Sequence, residues 1–424
     1  MRLKFALEKI LVREQVRAAL KQVLLIAFYF PPRNHVASYR SGCFAKYLPE
    51  NGWMPTVVCQ DWPMDGRDSD PNFVGKIPDE VKIVRVPQPP YRTFYERMVV
   101  RKLLPYVSPY RAPHLWSQKA TEAITQLCRE TKFDAIWATS DPIVTMGLAS
   151  ETSKRINKPW VADLRDSYSL VPFGSWYKRP IWAHHERRLC RDASEVVIVS
   201  PTWAKELSPK IGKQIHVIEN GYDPSLFPTD VQPDKSMFLI AYTGSIVRDE
   251  KPNLFMDGLR LALSSGSIPR DKIQVNFYGP SIEQINETCP GALETLPVKS
   301  FPKVPHKQVI DIQQKSAALL LLTCTDHPGV LPAKIFDYLG AKRPILLAPD
   351  DGGDACDIVR RTGAGEITST PEQISAVLQK WYAEWKQTGD IKLVRNEQEV
   401  QHYSRRDQTR RLAALLDSVT NSAK

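Results

Sequence analysis

Short apolar runs alternate with helical stretches along the whole chain, and the runs are apolar at consecutive positions. VLLIAFYF at 23–30 and EVVIVS at 195–200 show the pattern. A strand that is apolar on both sides needs cover on both faces, as a strand inside a helix-flanked parallel sheet has. The rhythm predicts strands at 23–30, 56–59, 82–86, 135–138, 160–163, 196–200 and 216–218, with helices such as 38–48, 118–130 and 181–190 between them. The stretch 223–236 (DPSLFPTDVQPDKS) is rich in Pro, Asp and Ser and reads as a linker. The rhythm then restarts, with strands at 238–242, 274–278, 317–322 and 345–348 and helices at 254–263 and 333–339. The expectation is an α/β chain of two doubly wound, Rossmann-like parallel-sheet domains facing a cleft, with ligand at the strand C-termini. The expected bounds are a basic amphipathic helix at 1–20, a first domain at 21–225, a linker at 226–236 and a second domain at 237–400. A last helix at 401–424 crosses back to the first domain.

Length and composition fit that size: 424 residues, 42% hydrophobic and 25% charged. The apolar run at 23–30 is far short of the roughly 20 residues a membrane-spanning helix needs. A charged segment precedes it, Pro31-Pro32 follow, and no small-residue cleavage site is present, so no signal peptide is expected. Seven cysteines without a CxxC pair read as reduced thiols of a cytosolic protein. The net charge of +10 calls for an anionic partner: nucleic acid, a membrane surface or a phosphorylated substrate. The charge concentrates at 1–21, where Leu3, Leu7, Ile10 and Leu11 fall at helical spacing, and at 91–116. Both segments read as solvated faces or as surfaces for peripheral contact with the inner face of a membrane. Nucleic acid is set aside, since neither zinc-finger spacing nor an RNP-like strand is present.

Four places can carry chemistry. Tyr242-Thr243-Gly244-Ser245 ends a strand and precedes Arg248 and Lys251. There Gly244 permits close backbone approach to a phosphate, free N–H groups and the Ser245 hydroxyl can bind oxygen, and the cations neutralise charge. Lys334 and Asp337 are three apart on one helix face, suited to a diphosphate and to ribose hydroxyls. That helix is expected to stop at Gly340. Asp163, Arg165 and Asp166 leave a buried strand at what should be its solvent-facing end, as an acid or base near a reacting sugar, an acceptor clamp or an ion-pair cluster. Arg33, Asn34 and His35 follow the first strand behind Pro31-Pro32, where His35 can stabilise developing charge. Asp68-Ser69-Asp70 is read as a solvated loop and His184-His185-Glu186 as a helix surface; no metal and no cofactor are expected.

Taken together, FYFPPRNHVASYRSGCFAKYLPENGWMPTVV, KPWVADLRDSY, VIENGYDPSLF and GVLPAKIFDYLGAKRPIL resemble bacterial retaining GT-B glycosyltransferases of family 4, in the polysaccharide-type subgroup. The resemblance implies metal-independent transfer of a sugar from a UDP- or GDP-type nucleotide sugar to a glycan or lipid-linked acceptor. By it, Asp337 matches the second acid of a Glu-x7-Glu motif that binds ribose. Gly244, Ser245 and Lys251 match the phosphate loop, Lys334 a subgroup lysine, and Asp166 the RD motif. The motif's first acid is Gly329 here, the usual Gly-Gly is Asn34-His35, and the arginine beside the phosphate-loop glycine is Ser245. Two rivals stay open: a degenerate member acting as a scaffold, and a nucleotide-sugar epimerase on the same fold.

Overall fold

The computed structural model describes residues 20–63, 69–70, 74–90, 92–96, 98–99, 114–140, 142–170, 179–228, 231–246, 250, 252–324 and 326–422. The chain forms two compact units. One comprises the described residues up to Glu219 and those from Arg405 onward; the other is Asn220–Ser404. The expected basic helix at 1–20 lies outside the described residues but for residue 20, and so does most of the basic segment 91–116.

The first unit is a seven-stranded parallel sheet in the order β3-β2-β1-β4-β5-β6-β7. Its strands are β1 (Lys21–Ile26), β2 (Trp53–Gln60), β3 (Lys82–Val86), β4 (Ala135–Thr139), β5 (Trp160–Leu164), β6 (Glu195–Ile198) and β7 (Ile215–Val217). The helices that follow strands are α1 (Val36–Tyr47), α2 (His114–Glu130), α3 (Val144–Ile156), α4 (Arg179–Asp192) and α5 (Pro201–Ile211). Strand order reverses between β1 and β4, so their C-terminal ends form the switch point where ligands collect in such sheets. The first strand ends at Ile26, four residues before the apolar run does, because Phe28 and Tyr29 leave the sheet for an aromatic cluster. Strand β2 begins at Trp53 and runs through Pro55, ahead of the expected start at 56. Pro55 pairs with Val23 of β1 but lies before the first β3 pair, Thr56 with Lys82, so its missing N–H forfeits nothing there. Ser200 ends no strand; its hydroxyl caps α5 by accepting from the Trp203 N–H. The C-terminal helix, Arg405–Ser422, packs Leu412, Leu415, Leu416 and Val419 into the core of this same unit.

The second unit is a six-stranded parallel sheet in the order β10-β9-β8-β11-β12-β13. It is built from β8 (Phe238–Thr243), α6 (Pro252–Ser264), β9 (Ile273–Tyr278), α7 (Ile282–Thr288), α8 (Ala292–Thr295), β10 (Val298–Phe301) and α9 (His306–Lys315). β11 (Ala318–Leu322), α10 (Lys334–Ala341), β12 (Ile345–Ala348), α11 (Asp354–Thr362), β13 (Gly365–Ile367), α12 (Pro371–Thr388) and α13 (Glu397–His402) complete it. The consecutive apolar residues divide between two cores. Phe238, Ile240 and Tyr242 of β8 and Leu320 of β11 join one face with Trp381, whereas Ala241 and Leu319 join the other with Phe336. Part of the expected linker belongs to this unit: Phe227 is buried against α10. A Cβ on Gly340 would lie 2.8 Å from the Phe227 ring, so Gly340 makes room for that ring inside a helix it does not terminate. The helix instead ends at Lys342, in the left-handed region at φ 59°.

Among the described residues, no helix is long and apolar enough to cross a membrane.

Candidate functional site

In the second unit, the C-terminal ends of β8 and β9 turn sharply on two glycines. Gly244 has φ 105° and Gly279 φ 124°, conformations that side chains rarely adopt. They press together: a Cβ on Gly279 would meet the Gly244 carbonyl oxygen at 2.7 Å. The Gly244 N–H donates to the Tyr278 carbonyl at 2.9 Å, so this amide holds the turn and is not among the free N–H groups that could bind a phosphate. Exposed Gly244 and Ser245 border the side chain of Lys334, whose Cε lies 3.7 Å from the position of a Gly244 Cβ.

Lys334 opens α10 and reaches back over this turn. Its ammonium donates to the Tyr242 hydroxyl, lies 3.2 Å from Glu250 Oε1, and sits 4.0 Å above the centre of the Tyr242 ring. The Tyr242 hydroxyl is 2.7 Å from Glu250 Oε2 and 2.8 Å from the Ser245 carbonyl. Burial pushes Lys334 below the usual lysine range, and Glu250 opposes that shift. Burial, reinforced by Glu250, pushes the Tyr242 phenol well above its usual range. Asp337, one turn along α10, faces His306 at the start of α9, with Nε2 to Oδ2 at 3.4 Å. The two members of the sequence pair therefore have different partners: Lys334 has Glu250 and Asp337 has His306. Below them, the Thr243 N–H donates to the Tyr338 hydroxyl, which donates to the Leu320 carbonyl, and Gln313 donates to the Thr243 hydroxyl. This buried net fixes the strand end against α9 and α10. Arg248 and Lys251 lie outside the described residues.

In the first unit, Asp163 corrects the sequence expectation. It is fully buried, not at a solvent-facing strand end, because Arg40 of α1 meets both its oxygens, Nε at 2.9 Å and Nη2 at 2.6 Å. Arg40 also donates to the Glu219 carbonyl at 2.7 Å. Arg165 is buried too, its Nε donating to the Ser140 carbonyl at 3.1 Å. Asp166 is the exposed member of the group. The loop that carries it is held by Glu186, which the sequence reads as a helix surface. Glu186 is fully buried and accepts from the Tyr168 N–H at 2.8 Å and from the Ser169 hydroxyl at 2.6 Å, with Ser167 Oγ at 3.3 Å. Burial raises its carboxyl above the usual range despite these bonds.

His35 caps α1: its Nδ1 accepts from the Ala37 N–H at 3.2 Å, which leaves the proton of a neutral ring on Nε2. The imidazole stacks on Tyr29 at 4.3 Å, Tyr29 on Trp62 at 5.4 Å, and the Arg33 guanidinium covers Trp62 at 4.9 Å. Arg33 and His35 thus sit at the two ends of one stack at the switch point, with exposed Asn34 between them in the chain. Asp68 lies outside the described residues; Ser69 bridges to Arg33 and the Asp70 N–H donates to the Pro32 carbonyl. Sequence reasoning missed Arg40, Glu186, Glu250 and His306, and gave no role to Tyr29, Trp62 or the Tyr242 hydroxyl. Each acts through a partner distant in the chain: Lys334 is 92 residues from Tyr242 and 84 from Glu250.

Two parallel-sheet α/β units of seven and six strands, each with its polar groups at the strand C-termini, define the GT-B class. Solved structures agree. The Anabaena protein HepE in complex with UDP-glucose is 15% identical, with a TM-score of 0.59 over 94% of this chain and 99% of that one. The lipopolysaccharide outer core galactosyltransferase WaaB is 13% identical, with a TM-score of 0.57 over 94% and 99%. Sucrose-phosphate synthase from Thermosynechococcus elongatus is 12% identical, with a TM-score of 0.57 over 95% and 97%. No curated protein matches the sequence. Residues 43–226 match the model of Glycosyltransferase Family 4. The chain has the GT-B fold of glycosyltransferases.

Proposed function

We propose that the protein is a retaining, metal-independent glycosyltransferase that moves a hexosyl-type sugar from a UDP- or GDP-linked donor to a glycan or lipid-linked acceptor in cell-surface polysaccharide or glycolipid synthesis. The observation that carries this reading is the Lys334 ammonium beside the exposed Gly244–Ser245 turn, one helical turn from Asp337. A cation there offsets the charge that builds on a departing diphosphate, and Asp337 accepts hydrogen bonds from the ribose hydroxyls. The bond from the sugar C1 to the phosphate oxygen breaks, a bond from C1 to the acceptor oxygen forms, and the acceptor's proton passes to the departing phosphate. Asp166 and His35 serve the reacting sugar and acceptor from the first unit, with Arg33 and Asn34 beside them. The UDP-glucose complex of HepE favours UDP as the nucleotide. The net charge of +10 favours work at the cytoplasmic face of an anionic membrane.

A second reading, nucleotide binding without transfer, draws on Gly329, where the family motif carries its first acid. The test is incubation with UDP-, GDP- and ADP-sugars, with and without EDTA, followed by product analysis. Release of free nucleotide that EDTA leaves unchanged supports transfer, with water standing in for a missing acceptor. A new nucleotide sugar or a free epimer means epimerisation, and binding without product means a scaffold.

A further inference from the structure

Lys334, Tyr242 and Glu250 form a closed ring of hydrogen bonds. The Lys334 ammonium donates to the Tyr242 hydroxyl, that hydroxyl lies 2.7 Å from Glu250 Oε2, and Glu250 Oε1 lies 3.2 Å from the ammonium. The ring is shielded from water, with 14% of the Lys334 side chain and 2% of the Glu250 side chain exposed. An ammonium has three N–H donors. The remaining contact of Lys334, to the Ser245 carbonyl, is its longest at 3.5 Å, and it lies at the exposed turn. It is the contact that an anionic oxygen arriving at Gly244–Ser245 displaces most readily.

Resting on the donor reading of Lys334, we propose that Glu250, with Tyr242, is a positioning residue that keeps the Lys334 ammonium charged and aimed at the turn where the donor diphosphate is held. A buried lysine without a counter-charge gives up its proton. Burial does pull Lys334 down, and Glu250 is the largest influence that pulls it back. Among the described residues, Cys324 also acts on the ammonium, Tyr338 on the following turn of α10 acts on Tyr242, and the Asp337–His306 pair lies one turn along the same helix. Burial holds the Tyr242 and Tyr338 phenols above their usual range, so neither titrates below Lys334.

The experiment is calorimetric titration of UDP into the full chain between about pH 7 and pH 9.5, above the titration of the terminal phosphate near pH 6. It uses the wild type, Glu250→Gln, Tyr242→Phe, Lys334→Arg and the double variant Glu250→Gln/Lys334→Arg, each checked by its thermal melt. The expectation is nearly constant affinity for the wild type across the range. Glu250→Gln should lose affinity at least tenfold as pH rises, and Tyr242→Phe should lose less in the same direction. The double variant should be pH-independent, because a guanidinium stays charged. Wild-type affinity in Glu250→Gln at every pH overturns the inference while leaving the donor reading intact. So does an equal loss at every pH that arginine does not flatten, which marks a disturbed fold. Failure of the wild type to bind UDP, GDP or ADP overturns the donor reading and this inference with it.

Discussion

The buried pair of Arg40 and Asp163 gives the most exacting test of the first unit. Neither side chain has exposed surface, and two charge-assisted bonds of 2.9 and 2.6 Å join them. Replacing Arg40 by Met keeps most of the volume but leaves a carboxylate in the middle of a sheet without its counter-ion. Removal of one partner from such a pair costs about 3–5 kcal/mol, most of it the penalty on the group left behind. The lost bond to the Glu219 carbonyl adds about 1 kcal/mol. For a domain of this size each kcal/mol moves the melting temperature by about 2–4 °C, so Arg40→Met should melt roughly 8–24 °C below the wild type. Replacing both members by Met and Leu should recover most of the loss, since an apolar pair needs no charge compensation. The assay is thermal and urea unfolding, followed by circular dichroism, of the wild type, both single variants and the double variant. A loss below about 1 kcal/mol in Arg40→Met refutes the burial argument. A double variant as unstable as the sum of the singles refutes the pairing.

Further outcomes follow from other sites. Gly279→Ala should cost about 2–4 kcal/mol, because it adds a 2.7 Å clash with the Gly244 carbonyl to a left-handed φ, whereas Gly266→Ala, at φ 74° with open space around it, should cost about 1 kcal/mol by melting temperature. His35→Asn keeps an N-cap and should melt like the wild type, yet lose at least tenfold in turnover if the imidazole takes part; His35→Ala should lose stability as well. Burial raises the Glu186 carboxyl, so its proton binds more tightly in the folded chain than in the unfolded one. The stability this adds is complete below the ordinary glutamate range near 4.3 and is lost as pH rises through the raised value. The melting-temperature gap between wild type and Glu186→Gln should therefore favour the wild type more at about pH 4.5 than at pH 7.5.

The sequence made the central strands plain because burial on both faces demands apolar residues at consecutive positions, as in Leu319, Leu320 and Leu321. It hid β10 (VKSF) and β13 (GEI), which are short, partly polar edge strands of the second sheet. It exposed Lys334 and Asp337 because three-residue spacing on a helix is a local fact. Glu250 and His306 stayed hidden because an isolated Glu or His in a charged segment carries no local mark of its partner. Asp163 misled for a related reason: an acid at a strand end reads as solvated until Arg40, 123 residues away, supplies its counter-charge. Glu186 likewise sits in a basic helix whose composition says surface, while the loop it holds lies 17 to 19 residues earlier.

The measurement closest to the central claim is the binding isotherm of UDP-glucose, or of whichever nucleotide sugar the product screen selects, to the wild type, Lys334→Ala, Asp337→Ala and His35→Asn. A donor site on the second unit predicts at least a tenfold loss of affinity in Lys334→Ala and Asp337→Ala, with unchanged binding in His35→Asn. Wild-type affinity in both second-unit variants would place the donor elsewhere and contradict the account.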